Sequence, residues 1–234
     1  SRTALLRLEQ TLTPSTPQVV NQRDPARIVD LASYPLPDMQ RTIAPPPAPR
    51  EDNKTRVHFS DVAEQAGIRF TYFNADDPAT EGRRMFEFTG GGAAVIDFDG
   101  DLWPDIYLTQ GCPWPPEKNQ QEYRDRLFRN LGDGSFEDVT EQTGLGDNRF
   151  SQGVQVGDFN NDGFPDIYLA NVGENRLYRN NGDGTFEDVA RDAGTGGARW
   201  TTSCLLADLN GDGLADLYEV NYLSGEGVFD LICD

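Results

Sequence analysis

The stretch that decides the fold is Asp158-Phe-Asn160-Asn-Asp162-Gly-Phe-Pro-Asp166, and the chain contains it in three versions. The other two begin at Asp97 and Asp208. Each version has oxygen-bearing side chains at positions 1, 3, 5 and 9 of a tight turn and leaves the backbone carbonyl of position 7 available, a donor set that suits calcium. Asp, Asn and Gly also favour turns that hold no metal. Three copies with the same spacing favour calcium loops over plain turns.

The sequence therefore predicts three calcium (Ca²⁺) sites. No long helical pattern flanks the loops, so they are interpreted as strand connections and not as EF-hands. Their expected ligands are Asp97, Asp99, Asp101, Trp103 and Asp105 in the first loop, Asp158, Asn160, Asp162, Phe164 and Asp166 in the second, and Asp208, Asn210, Asp212, Leu214 and Asp216 in the third, with Trp103, Phe164 and Leu214 contributing only their backbone carbonyls.

The loops belong to a longer repeat. Asp158 and Asp208 are 50 residues apart, and so are Phe136 and Phe186, each of which begins Phe-Glu-Asp-Val after a Gly-Asp-Gly turn. Short apolar stretches precede the loops, and Asp-Ile-Tyr-Leu or Asp-Leu-Tyr-Glu follows them. Four short strands per repeat, joined by Asp-Gly hairpins, predict an all-β fold made of β-propeller blades with four antiparallel strands each.

The repeats divide the chain into two predicted regions. Residues 56–234 hold about three blades, and residues 1–55 form an irregular N-terminal extension that ends in the linker Ala44-Pro-Pro-Pro-Ala-Pro49. The third repeat has its loop and the following strand but no later hairpin before Asp234. An open stack of blades would expose strand edges, so we expect further polypeptide or another subunit to continue the ring.

The strings Asp158-Phe-Asn-Asn-Asp-Gly-Phe-Pro-Asp-Ile-Tyr-Leu169 and Leu177-Tyr-Arg-Asn-Asn-Gly-Asp-Gly-Thr-Phe186 resemble FG-GAP/VCBS repeats, as in integrin α-subunit propellers. The order in which Phe59-Ser-Asp-Val-Ala-Glu-Gln-Ala-Gly-Ile68 leads into Gly90-Gly-Gly-Ala-Ala-Val-Ile-Asp97 is most similar to the bacterial ASPIC/UnbV proteins related to cartilage acidic protein. The resemblance covers about residues 57–222. It implies a secreted, calcium-stabilised propeller, usually of seven blades, that serves binding or adhesion. It does not imply a catalytic reaction.

Two residues depart from the repeat. Leu102 replaces the glycine that the other loops carry at position 6, so the first loop lacks the residue that best tolerates a positive φ. We still expect this loop to bind calcium, because Asp99 gives it a fourth carboxylate where the other loops have Asn. Glu219 replaces a leucine in the strand after the third loop. Its carboxylate is predicted to face either solvent or the sheet packing.

The composition limits the classes of partner that are expected for this chain. The formal net charge is -19, which disfavours nucleic acid as a partner. No apolar run approaches the ~20 residues of a membrane span. This composition agrees with an extracellular acidic domain, and the resemblance implies a secreted, extracellular or periplasmic location.

An insertion of 11 residues lengthens the connection between the second and third strands of the first repeat. It contains Trp114 framed by three prolines, and this residue is the partner-binding candidate. The alternative is a lid packed on the neighbouring blade. Cys112 and Cys233 are disulfide candidates, though not necessarily with each other, whereas Cys204 fits a small buried position.

No catalytic constellation is evident. The only histidine, His58, precedes a predicted strand, and neither a nucleophile elbow nor a phosphate-binding loop is present. We therefore expect no enzyme but a recognition, adhesion or assembly module that binds a protein or glycan. Two alternatives remain: part of a larger enzyme or cofactor-handling complex whose catalytic residues lie outside this chain, and a structural component of a surface layer or fibre.

Overall fold

The computed structural model describes residues 58–76, 82–117, 121–223, 227 and 229–233. The described residues from Val62 onward belong to one compact unit, and every contact below lies within it. The predicted extension and linker, residues 1–55, lie outside the described residues.

The described part of the chain is almost entirely β-structure, which confirms the predicted all-β class. A 3-10 helix spans Met85–Phe88, and two single-turn helices are α1 (Thr140–Thr143) and α2 (Ala190–Ala193). The strands are β1 (Arg83–Arg84), β2 (Ala93–Ile96), β3 (Asp105–Leu108), β4 (Arg126–Asn130), β5 (Phe136–Asp138), β6 (Phe150–Gly157), β7 (Asp166–Glu174), β8 (Arg176–Asn180), β9 (Phe186–Asp188), β10 (Ala198–Ala207), β11 (Asp216–Asn221) and β12 (Ile232–Cys233).

The strands form blade-like antiparallel units in sequence order. Strands β2 to β5 make the first blade, β6 to β9 the second, and β10 with β11 the described part of the third. The first residues of β10 also pair with the end of β7, which joins blades two and three in one sheet. Outside the blades, β1 pairs with β12. The predicted unit of four antiparallel strands is thus confirmed in blades one and two.

The repeat of 50 residues extends to irregularities in the backbone. The β6–β7 register shifts between Ser151 and Gly153, and the β10–β11 register shifts between Thr201 and Ser203. The same register irregularity therefore recurs at the same place in the first strand of both blades, as a β-bulge would produce.

The segment after each outer strand is built by turn chemistry. Asp138 and Asp188 each accept a hydrogen bond at Oδ1 from the backbone N–H two residues later, at 3.1 Å in both cases, and a single helical turn follows. The turn ends at Gly144 or Gly194, with φ of 77° and 74°. A side chain other than glycine would be strained there, so these glycines turn the chain back to begin the next blade.

The core lies between successive blades. One repeated tyrosine shows this: Tyr107 and Tyr168 are fully buried under the following blade, whereas Tyr218 is 56% exposed. A separate aromatic cluster covers the strand ends that lie away from the three predicted calcium loops. Its buried members are Ala75, Phe86, Cys112, Phe150, Val172 and Trp200.

Candidate metal centre

The three predicted calcium loops have the same hydrogen-bonded frame. In each loop the carboxylate at position 1 accepts a hydrogen bond at Oδ2 from the backbone N–H of position 6, at 3.1, 2.9 and 2.8 Å in chain order. The carboxylate at position 5 accepts one at Oδ1 from the N–H of position 7, at 2.9 Å every time. The side chains at positions 1 and 5 are therefore held inside the turn by its own backbone.

This frame needs left-handed backbone at two positions. Position 4 has φ of 73° at Gly100, 57° at Asn161 and 79° at Gly211. Position 6 has φ of 92° and 82° at the two glycines, and 70° at Leu102. The first loop thus keeps the geometry of its sisters at a conformational cost on the order of 1–2 kcal/mol for the leucine.

The carboxylate at position 9 ties each loop to its blade. It is buried, and its Oδ2 accepts a hydrogen bond from the N–H of position 2, at 3.2, 3.0 and 2.9 Å. In blades one and two, Oδ1 also accepts from the N–H of Asn130 or Asn180, both at 2.8 Å. Burial raises the pKa of Asp105 and of Asp166 to about 6, although these backbone bonds act to lower it.

The side chain at position 7 packs against the hairpin of its own blade in blades one and two. The rings of Trp103 and Phe164 lie against Gly132 and Gly182, in the Gly-Asp-Gly hairpin of the same blade. A Cβ on either glycine would come within 2.8 or 2.7 Å of the ring. The two glycines therefore leave room for the aromatic side chains that fix each loop to its hairpin.

Carboxylates converge most closely in the first loop. Asp97, Asp99 and Asp105 each place an oxygen within 4.8 Å of the others. Oδ1 of Asp97 is buried and has no hydrogen-bond partner among the described residues. A buried oxygen without a donor is costly unless a cation or water meets it. The donor set and this unpartnered oxygen fit a hard cation such as calcium.

In the second and third loops the position 1 carboxylate meets more backbone donors. Oδ1 of Asp158 accepts from the N–H of Asp162 at 3.1 Å. Asp208 accepts from the N–H of Gly211 at 2.6 Å and of Asp212 at 3.1 Å. Backbone hydrogen bonds lower the pKa of Asp208. The N–H of Gly213 has the largest effect, and those of Gly211 and Asp212 add to it. The structure thus places the predicted acidic ligands of each repeat in one turn. In the first repeat, oxygens of three of them lie within 4.8 Å of one another.

An arginine that the sequence analysis did not single out also meets the first loop. Arg129 on β4 pairs through Nε with Oδ2 of Asp99 at 2.6 Å and through a terminal nitrogen with Oδ2 of Asp101 at 3.1 Å. Its counterpart in blade two, Arg179, pairs instead with Glu187 at 2.6 Å. Asp99, the carboxylate that distinguishes the first loop in charge, is thus one of the two that pair with Arg129.

A comparison with known protein families finds the same repeat in this sequence. A model of the FG-GAP-like repeat matches residues 97–169 and again 158–219. Both matches begin at position 1 of a loop, and together they span just over half of the chain. The chain belongs to the FG-GAP-like repeat family. No curated protein matches its sequence. Within the described residues of this FG-GAP protein, no helix has the length and apolarity needed to cross a membrane.

The insertion in the first FG-GAP repeat packs back onto the protein. Trp114 is half-buried, with its ring centroid 4.8 Å from that of Phe86 and 5.8 Å from that of Phe229. The rings of Phe86 and Phe229 both lie outside the strands of the neighbouring blade, so partner binding by Trp114 and the lid alternative both stay predictions. Cys112 beside it is a buried free thiol, and burial raises its pKa to about 12. The expectation of a disulfide at Cys112 is therefore not met. Cys204 is also free and half-buried.

Glu219 faces the sheet packing and has partners there. Its Oε1 accepts hydrogen bonds from the hydroxyl of Tyr168 and from Nδ2 of Asn175, the latter at 3.1 Å. Glu219 is twelfth in the third loop, the place of the bidentate glutamate in an EF-hand, but its carboxylate is engaged by blade two. It joins neighbouring blades.

Sequence reasoning also missed a buried carboxylate pair at the ends of the strands away from the loops. Asp125 is fully buried and accepts from the hydroxyl of Tyr107 at 3.0 Å and the N–H of Gln110 at 2.7 Å. Asp147 accepts from Nδ2 of Asn171 at 2.7 Å. Burial raises the pKa of Asp125 well above its usual range and that of Asp147 to about 6. The FG-GAP repeat offered one signal, since Asp125 occupies the place of Asn175.

Proposed function

We propose that this FG-GAP protein is an extracellular or periplasmic recognition and assembly module, not an enzyme, whose blades are stabilised by calcium in three loops. The observation that carries the proposal is the shared loop frame, in which backbone amides orient carboxylates at positions 1 and 5 in all three repeats. Chain folding thus gathers three or four carboxylates in each turn, and a divalent cation relieves their mutual repulsion.

The unpartnered oxygen of Asp97 supports a metal in the first loop. Asp97, Asp99, Asp101 and Asp105 would hold the ion there with the carbonyl of Trp103, and the corresponding residues would hold it in the other two loops. Bound calcium would neutralise charge and cross-link each turn to the strand that follows. The role of the ion would be structural and not catalytic.

A binding partner is supported by the uncovered face of blade three. Tyr218 and Val220 on β11 and Leu205 on β10 are 56%, 44% and 40% exposed on one face. The matching tyrosines of blades one and two are fully buried by the next blade. We propose that further polypeptide or another subunit covers this face and continues the ring, whose blade count the resemblance puts at seven. Closer kinship with the ASPIC/UnbV proteins is part of the same proposal.

The edge of β11 supports the same partner. Within the described residues β11 pairs only with β10, whereas β3 and β7 each have a second neighbour that donates a backbone N–H to Oδ1 of the position 9 aspartate. In blade three that oxygen, on Asp216, accepts, among the described contacts, only from Nδ2 of Asn210 at 3.5 Å. An added antiparallel strand would supply the stronger donor, and protein association through such an edge is a known mode of recognition.

Thermal unfolding of the full chain in calcium and in chelator tests the proposal. We expect calcium to raise the melting temperature, and Asp162→Asn to reduce that rise because it removes a carboxylate from the second loop. Asp183→Asn is the matched control, since Asp183 lies in the neighbouring hairpin and bonds only to Thr185 among the described contacts. Equal melting temperatures with and without calcium would overturn the calcium proposal.

A further inference from the structure

Arg129 occupies an unusual place between two strands and a loop. In the β4–β5 register Arg129 lies opposite Glu137, and in the β8–β9 register Arg179 lies opposite Glu187. Arg179 pairs with the glutamate across from it. Arg129 has the same neighbour available, yet its guanidinium contacts the loop.

The difference follows from one residue of the first loop. Position 3 is Asp99 there and Asn160 in the second loop, so only the first loop offers a carboxylate at that position. Nε of Arg129 forms an ion pair with Oδ2 of Asp99 at 2.6 Å, without hydrogen-bond geometry among the described residues. A terminal nitrogen of Arg129 donates a hydrogen bond to Oδ2 of Asp101 at 3.1 Å. The side chains of Asp99 and Asp101 are only 18% and 28% exposed. A guanidinium therefore neutralises part of the charge of a loop with four carboxylates.

The oxygens that Arg129 holds are the ones that the loop backbone leaves free. Oδ1 of Asp99 accepts from the N–H of Asp101 at 3.4 Å, and Oδ1 of Asp101 accepts from the N–H of Trp103 at 2.9 Å. Both Oδ2 atoms contact Arg129. A calcium ion takes carboxylate oxygens at about 2.3–2.6 Å. Metal and guanidinium would then be two close cations competing for the same pair of oxygens.

We propose that Arg129 is the resident counter-cation of the metal-free first loop and that calcium fills this loop only by displacing it. The first loop then fills at a higher calcium concentration than the second and third. The displaced guanidinium pairs with Glu137, as Arg179 does with Glu187. This inference rests on the proposed calcium function and adds its regulation at one site.

Trp103 provides a selective readout, because it is the only tryptophan at position 7 of a loop, the others being Phe164 and Leu214. Terbium replaces calcium in such sites and luminesces when a nearby tryptophan is excited. Titrating terbium into the full chain, then displacing it with calcium, therefore reports on the first loop. Trp103→Phe should abolish the sensitised signal and so establish its origin.

We expect Arg129→Gln to tighten calcium binding at the first loop by about three- to tenfold, the range that two partly exposed ion pairs supply. The matched variant Arg179→Gln should change it less than about twofold. In chelator, Arg129→Gln should melt at a lower temperature than Arg179→Gln, because it leaves four carboxylates without their counter-cation.

Asp99→Asn makes the first loop like the second and serves as the second variant. In that background Arg129→Gln should no longer tighten binding. Unchanged or weaker binding at the first loop in Arg129→Gln, with calorimetry showing calcium in the other loops, would overturn this inference alone. Absence of a calcium response in every variant and in the wild type would overturn the proposed function and this inference with it.

Discussion

The three predicted calcium loops share one backbone geometry but carry different charges. All three have left-handed residues at positions 4 and 6 and the same amide-to-carboxylate bonds. The first loop alone combines a strained leucine, a fourth carboxylate and an arginine that neutralises part of it. In this chain, loop geometry is therefore separable from loop electrostatics, and the two can be varied independently.

The largest expected effect is the removal of calcium. Binding to the folded form alone contributes about 2.7 kcal/mol per site when free calcium is a hundred times the dissociation constant. Under the proposed competition between Arg129 and calcium in the first loop, we expect Asp158→Asn to remove more of the calcium-dependent stability than Asp97→Asn does. Chemical denaturation in fixed calcium measures this. Equal losses would show that the loops do not differ in affinity.

A smaller effect is expected when the position 9 aspartate is removed in chelator, and its size should differ between blade two and blade three. Asp166→Ala leaves the buried N–H groups of Phe159 and Asn180 without an acceptor, so we expect a loss of about 2–4 kcal/mol. Asp216→Ala deprives only the N–H of Leu209 of a close acceptor, and we expect about 1 kcal/mol. Urea denaturation of the two metal-free variants measures the difference. Similar losses would argue against this anchoring role.

The carboxylates at the other end of the strands should respond to pH. The pKa of Asp147 is raised to about 6 in the folded protein, so the folded state holds this proton more tightly than the unfolded chain does. The resulting stability is complete below about pH 4 and is lost as the pH rises through about 6. Asp125, whose pKa is raised further, extends the loss to higher pH.

In chelator we therefore expect the denaturation midpoint to fall between about pH 5 and about pH 7 and Asp147→Asn to flatten that fall. Asp183→Asn is the control, because the pKa of this exposed carboxyl is lowered by its hydrogen bond from Thr185. An equal slope in wild type and Asp147→Asn would contradict the assignment.

The smallest effect concerns the strained leucine. Leu102→Gly should stabilise the metal-free first loop by about 1 kcal/mol and tighten calcium modestly, since glycine adopts a φ near 70° without strain. The reciprocal change Gly163→Leu should weaken the second loop by a similar amount. Terbium and calorimetric titrations read out the two loops. Should Leu102→Gly be neutral, the leucine would be compensated by contacts of its own.

Spacing alone predicted the blades and the loops because both are local. Asp-Gly hairpins, alternating apolar residues and oxygen ligands at fixed positions need no distant contact to be recognised. Arg129 could not be predicted in this way, since Arg126-Leu-Phe-Arg129 and Arg176-Leu-Tyr-Arg179 are nearly the same string. Their different partners depend on the residue at position 3 of a loop some thirty positions earlier.

Burial likewise escaped prediction where it depends on neighbouring blades. Asp125 follows a polar insertion and gives no apolar signal, yet it is fully buried. For Trp114 the sequence leaves both a partner contact and a lid open, because the insertion has no sister repeat to compare with. Glu219 faced the same difficulty, since its partners Tyr168 and Asn175 lie in another blade.

The most direct test of the central claim is a calorimetric calcium titration of the metal-free full chain. We predict three sites, two of similar affinity and one weaker, with the weak site strengthened in Arg129→Gln. A titration with no calcium-dependent heat, supported by the absence of bound calcium after equilibration and metal analysis, would contradict the claim that these loops bind calcium.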